Sequence, residues 1–80
     1  MGKERQEKTI FKVLSLQDLA VALKSARRSA GLTQKDLALL CGMSQKGIAQ
    51  IESGKKDIRS SSLLKIIKHV GYQLKLEPNG

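Results

Sequence analysis

The 80-residue sequence has one cysteine, one histidine and no long apolar segment, and each scarcity argues against a class of protein. Cys41 and His69 alone supply neither a convincing Cys–His catalytic pair nor the ligands of a zinc site. Gly31, Gly42, Gly54 and Gly71 stand at predicted helix ends, which does not suit a glycine-rich phosphate loop. We therefore expect no enzyme, no bound metal and no cofactor.

The absence of long apolar runs also bears on location. No run approaches membrane-spanning length, and the first residues lack the apolar core of a signal peptide. Cys41 falls on the apolar side of a predicted helix, where it is expected to pack as a small hydrophobe. No segment combines a basic face with a long apolar one, so a membrane surface is not favoured as a partner. These features predict a cytoplasmic protein.

Positive charge is abundant: the formal net charge is +8, from 15 basic and seven acidic residues. Residues 24–59 hold eight of the basic residues and three of the acids, so they carry +5 of that excess. A basic excess concentrated in one part of a small domain favours the phosphate backbone of a nucleic acid as the partner.

Residues 33–54 predict two short helices separated by a tight break. Thr33 and Asp36 form a capping-box pattern that starts the first helix, and Gly42 ends it. Ser44 provides the N-cap of the second helix, which Gly54 ends in the same way. The outward face of the second helix carries amides, a cation and no acid, which suits the edges of bases in a DNA major groove.

The predicted DNA contacts divide into two kinds. The base-edge candidates lie on the second helix and are Gln45, Lys46 and Gln50, because glutamine suits adenine and lysine suits guanine. The phosphate candidates lie at helix starts or in the basic segments around them, where free N–H groups and cations meet anions. They are Gln34, Lys35, Ser44, Lys55, Lys56, Arg28 and Arg59.

The ordered set of Gln34, Ala38, Gly42, Ile48 and Ile51 resembles the phage-repressor-like helix-turn-helix family, also called Xre or lambda-repressor-like. The resemblance implies an all-α fold: a lambda-repressor-like helix-turn-helix bundle of four to five helices. It also implies that the three base-edge positions read bases, and that Gln34 contacts a phosphate while supporting the recognition side chains.

The same resemblance implies a partly buried ion pair between Arg27 and Glu52 that braces the first helix against the recognition helix. The alternative is that both are solvated surface charges. Two residues depart from the family pattern: Lys46 stands where some relatives have glutamine, and Gly47 lies inside a short helix. A helical glycine costs about 0.5–1 kcal/mol against alanine, which points to close approach to DNA backbone or a thymine methyl.

The rest of the chain divides into three predicted parts: a flexible or extended arm at residues 1–14, the DNA-binding domain at 15–71 and a tail at 72–80. The domain begins with a helix at residues 15–30 and ends with one that starts among Ser60, Ser61 and Ser62. Phe11 is expected to pack on the domain or on a second subunit rather than on DNA.

The tail alternates apolar and polar residues, which predicts a β-strand. A lone strand leaves its backbone groups unpaired, and within the chain only residues 9–14 offer a partner strand. The simplest other partner is the same tail of a second subunit, so we expect pairing across a homodimer through Tyr72, Leu74 and Leu76. A helix, a glycine and a terminal strand in this order resemble the HipB-type antitoxins of kinase toxin–antitoxin operons. That resemblance implies a palindromic operator in double-stranded DNA and a HipA-like kinase toxin as partners.

Two other interpretations remain open. A prophage repressor or a restriction-modification controller would have the same biochemistry without a toxin. A protein-interaction module whose helix-turn-helix no longer reads DNA would belong to a different class, although the basic, amide-bearing face argues against it.

Overall fold

The computed structural model of the chain describes residues 9–79, and the first part of the predicted arm, residues 1–8, lies outside them. The described residues form four helices: α1 (Leu16–Ser29), α2 (Gln34–Cys41), α3 (Gln45–Glu52) and α4 (Ser60–His69). Helix α2 packs against α3 and α4, and α3 packs against α1. The all-α helix-turn-helix architecture is therefore confirmed, with four helices.

Short side chains that cap helix starts set most of the boundaries. The hydroxyl of Ser15 accepts from Asp18 N at 3.0 Å and begins α1. Thr33 and Asp36 form the complete predicted capping box at the start of α2. Ser44 accepts from Gly47 N at 2.9 Å and begins α3. Each cap satisfies backbone donors that have no partner inside the helix.

The start of α4 differs from the prediction. Its N-cap residue is Arg59, which makes no side-chain capping hydrogen bond, and all three serines lie inside the helix. The choice of Ser60, Ser61 or Ser62 as the N-cap was therefore wrong. Arg59 already has the extended backbone that an N-cap requires, so the helix begins one residue earlier than a serine cap would place it.

One apolar core joins all four helices. Its most deeply buried large side chains come from α2, α3 and the end of α4: Leu37, Ile48, Ile66 and Val70. Helix α1 adds Leu23 and Ala26, and Cys41 packs among them as the predicted small hydrophobe. Burial raises the pKa of the Cys41 thiol above its ordinary value. The core fixes α3 against the other helices and leaves its opposite face outside.

The segments on either side of the helices meet each other. The Tyr72 hydroxyl donates to Thr9 O at 2.9 Å, and the rings of Phe11 and Tyr72 lie 5.8 Å apart. Phe11 therefore packs against Tyr72, the first residue of the predicted tail, within the same chain. Within residues 9–79 a single chain contains no β-strand. The tail strand thus stays a prediction that depends on a second chain.

Two glycines with positive φ end the helices of the central pair, and they differ in their surroundings. Gly42 has φ +67°, and a Cβ added there would meet no atom within 4 Å. Gly54 has φ +74°, and an added Cβ would lie 3.3 Å from Ala20 Cβ and 3.5 Å from Gln17 Cα. Gly54 is therefore needed both for its backbone conformation and for the close contact of α3 with α1.

Replacing these glycines separates the two effects. We expect Gly42→Ala to lower the free energy of unfolding by about 1–2 kcal/mol, the cost of the left-handed conformation. Gly54→Ala should cost more, because the added methyl group also presses on Ala20 Cβ of α1 at 3.3 Å. Urea denaturation of both variants measures the difference, and equal losses would contradict the close packing at Gly54.

Candidate nucleic-acid interface

A charged cluster at the end of α3 ties three segments together. Arg27 Nε donates to Glu52 Oε2 at 2.7 Å, and Arg27 Nη2 donates to Glu52 Oε1 at 3.1 Å. The two side chains are 8% and 4% exposed, so this is a buried bidentate pair rather than two solvated charges. The pair that the family resemblance implies is present, and it joins α1 to α3.

Two further hydrogen bonds extend this cluster into α2. Arg27 Nη1 donates to Leu32 O at 2.6 Å, which fixes the corner between α1 and α2. Gln34 Nε2 donates to Glu52 Oε1 at 3.0 Å, which fixes the first residue of α2. Neither bond was predicted from the sequence. No periodic pattern relates residues 18 positions apart, so only the folded geometry identifies Gln34 and Glu52 as partners.

The cluster changes the acidity of its members. Burial alone would raise the pKa of Glu52. Hydrogen bonds from Arg27 and Gln34, together with the positive charges of Arg27 and Lys24, have the larger effect and lower that pKa. The hydrogen bond to Glu52 raises the pKa of Arg27. Both groups therefore stay charged, as a hydrogen-bonded pair of opposite charges should.

The outer face of α3 carries the predicted base-edge residues. Gln45 and Lys46 occupy its first turn and are exposed, whereas Gln50 is half-buried one turn later. The first turn of α3 contains no acid. A short helix with exposed amide and ammonium groups at its start can donate to base edges in a major groove.

Gly47 has a neighbour within the chain. A Cβ added at Gly47 would lie 3.1 Å from the Ser44 hydroxyl, which caps the same helix. The short distance to the Ser44 hydroxyl therefore gives a structural reason for the glycine, in addition to the predicted approach to DNA.

Most predicted phosphate contacts are exposed cations. Lys35, Lys55, Lys56, Arg28 and Arg59 all have exposed side chains. Ser44 is exposed at the start of α3, and Gln34 is half-buried at the start of α2. A shallow pocket of about 200 Å³ brings Lys56 and Arg59 next to Gln50 and Gly47. The structure thus places two residues predicted to contact phosphates beside α3.

The remaining candidate groups do not form a chemical site. His69 is half-buried, and its Nδ1 lies 2.9 Å from Lys65 O and 3.8 Å from Cys41 Sγ. Within residues 9–79 no three His, Cys, Asp or Glu side chains are grouped to hold a metal ion. No helix in the same residues is long and apolar enough to cross a membrane.

The sequence of the chain matches a family of known proteins. The family described as Helix-turn-helix matches residues 23–76, two thirds of the chain. An uncharacterized HTH-type transcriptional regulator of Haemophilus influenzae is 36% identical over 56 residues. That alignment covers 70% of this chain and 57% of the relative, so the chain spans little more than half the length of that protein.

Solved structures are similar as well. HipB in a HipA–HipB–O2–O3 complex has a TM-score of 0.79 and 27% identity over 89% of this chain and 100% of that chain. HipB in an O4 20mer complex gives the same values. The clp gene regulator ClgR of Corynebacterium glutamicum has a TM-score of 0.70 and 28% identity over 75% of this chain and 64% of that chain. A mutant of the restriction-modification controller protein C.Esp1396I has a TM-score of 0.68 and 28% identity. That match covers 72% of this chain and 75% of that chain.

Breaking the buried pair on one side should destabilise the fold. We expect Arg27→Met to lower the free energy of unfolding by about 3–5 kcal/mol, because the Glu52 carboxylate is left buried without its partner. The double variant Arg27→Met with Glu52→Leu should recover most of that loss. Arg28→Met is the control, since Arg28 is the exposed neighbour. Equal losses for Arg27→Met and Arg28→Met in urea denaturation would contradict the role of the pair.

The pair also predicts a pH dependence. Because the folded state lowers the pKa of Glu52, its ionised form stabilises the fold above the unfolded pKa of about 4.3. That contribution is lost as pH falls through the folded pKa. The double variant should therefore lose less stability between about pH 5 and pH 3 than the parent. The backbone N–H of Thr33 lowers the pKa of Asp36 in both proteins, so that part of the loss remains. Identical pH profiles would contradict the assignment to Glu52.

Proposed function

The chain belongs to the helix-turn-helix family, and from this premise we propose that it is a sequence-specific DNA-binding transcriptional repressor. The observation that carries the proposal is the outer face of α3, where exposed Gln45 and Lys46 begin a helix without acids in its first turn. Exposed cations surround this face, and the buried Arg27–Glu52 pair holds the helix in place. The net charge of +8 favours the same partner.

The division of contacts follows from position. Gln45, Lys46 and Gln50 read base edges, because they lie on the face that α3 turns away from the core. Lys55 and Lys56 follow α3 directly and contact phosphates, together with Lys35, Ser44, Arg28 and Arg59. Gln34 contacts a phosphate from the start of α2.

We propose further that the repressor is a homodimer on a palindromic operator. Leu76 is 92% exposed and Leu74 is 55% exposed in a single chain, and both line an apolar groove of about 580 Å³ beside α1 and Tyr72. A tail strand paired with its copy from a second subunit would cover these side chains. Two recognition helices would then meet half-sites about one DNA turn, roughly 34–36 Å, apart or a multiple of that.

The finer proposal is an antitoxin that binds a HipA-like kinase and represses their shared operon. Its support is the similarity to HipB, which extends over 89% of this chain and the whole of that one. HipB is in complex with HipA in that structure. A restriction-modification controller is the second candidate, because a protein of that kind shares the fold at a TM-score of 0.68. A kinase gene beside the gene for this chain would favour the first.

DNA binding is tested first on the parent. A duplex from the region upstream of the chain's own gene should shift in a gel at low salt. No shift at low salt would contradict the repressor proposal and would favour a protein-interaction module.

The two kinds of contact predict different effects of substitution on DNA binding. Lys55→Ala should weaken binding to matched and scrambled duplexes about equally and reduce the salt slope by about one unit. Gln45→Ala should instead relax one base position, at about 1–3 kcal/mol on the matched site. Lys68→Ala removes an equal charge outside the proposed contacts and should leave the salt slope unchanged. Fluorescence anisotropy against salt measures all three, and identical behaviour of Lys55→Ala and Gln45→Ala would contradict the division.

The dimer predicts a change in mass. Sedimentation of the parent should give twice the mass of the chain, and Leu74→Asp should give one chain, because a carboxylate would enter the apolar groove. Asn79→Asp is the control, because it places the same new charge in the tail beyond the residues that line the groove. A monomeric parent, or two dimeric variants, would contradict pairing through the tail.

A further inference from the structure

The carboxylate of Glu52 accepts more hydrogen bonds than the ion pair requires. Oε2 accepts from Arg27 Nε at 2.7 Å, while Oε1 accepts from Arg27 Nη2 at 3.1 Å and from Gln34 Nε2 at 3.0 Å. The side chain of Glu52 is 4% exposed, so it cannot touch DNA itself. Its third donor, however, comes from a residue proposed to contact a phosphate.

This bond restricts the carboxamide of Gln34. A glutamine amide has two N–H groups on one planar nitrogen. When one N–H donates to Glu52, rotation of the amide is restricted and the second N–H points in a narrower range of directions. Gln34 is the first residue of α2 and is half-buried, so its amide remains partly open to solvent. A donor already held in one orientation loses less conformational freedom when it binds.

The charge of Glu52 does not oppose this role. A bare carboxylate near DNA would repel phosphates, but the Arg27 guanidinium neutralises it through two hydrogen bonds. Glu52 Oε1 can therefore accept a hydrogen bond from Gln34. Because Glu52 is paired with Arg27, it adds no net negative charge to the proposed binding face.

From this geometry we propose that Glu52 is a positioning residue for DNA binding. It holds the Gln34 carboxamide so that the second Nε2–H donates to a backbone phosphate at the start of α2. The proposal rests on the proposed DNA-binding function. The buried pair would then orient the phosphate contact at the start of α2, in addition to fixing the position of α3.

Coupling between the two residues tests the proposal. Gln34→Met keeps the length of the side chain and removes its donors. In the parent it should weaken binding to the upstream duplex about tenfold, the effect of one hydrogen bond to a charged group. In the Arg27→Met with Glu52→Leu background the same substitution should cost less than about twofold, because the amide is no longer held. Lys55→Ala should cost the same in both backgrounds.

The outcomes separate the proposals. Equal losses for Gln34→Met in both backgrounds would overturn the positioning role of Glu52, as would no loss in either. A parent that binds no DNA would instead overturn the repressor function. Circular dichroism melting verifies that each background is folded.

A second measurement uses only the parent, so it holds even if the double variant does not fold. Hydrogen exchange of the two Gln34 Nε2 protons, followed by NMR, should show one protected proton in the free protein. Adding the duplex should protect the second proton. Exchange of the second proton that is unchanged by DNA would overturn the proposal.

Discussion

The buried hydrogen-bonded pair of Arg27 and Glu52 is the constraint on which the arrangement of the helices depends. Charged side chains that are 8% and 4% exposed are tolerated only when each satisfies the other, so their positions must match within a hydrogen-bond length. Arg27 lies near the end of α1 and Glu52 ends α3, and Arg27 also holds the corner before α2. The Arg27 side chain therefore fixes three helices relative to one another. An apolar core alone would position them less specifically.

The geometry of the proposed recognition face follows from this constraint and from local capping. Ser44 starts α3 and Gly54 ends it against α1, so the helix has a fixed length and a close contact at its end. Ile48 and Ile51 bury one side of α3, which leaves Gln45 and Lys46 on the other. A helix held at both ends presents its outer side chains in one geometry, as a reader of base edges requires.

The boundaries and caps of α1, α2 and α3 could be predicted from the sequence, because a serine or threonine cap and a glycine stop act within a few residues. The cap of α4 could not, because three adjacent serines offer equivalent choices and the backbone selected Arg59 instead. The bond between Gln34 and Glu52 and the contact of His69 with Cys41 join residues that are distant in the chain. Such pairs depend on how the helices cross, which no local pattern contains. The tail strand is predicted from the alternation of apolar and polar residues alone. Its backbone groups need a second chain to pair with, so a single chain cannot test it.

We propose that the protein binds DNA through the face formed by the start of α3, with the start of α2 beside it. Backbone amide shifts recorded by NMR during titration with the upstream duplex test this claim residue by residue. We expect the largest changes on Gln45, Lys46 and the first residues of α2, while the exposed side of α1 around Val21 stays unchanged. Changes centred on α1 and absent from α3 would contradict it.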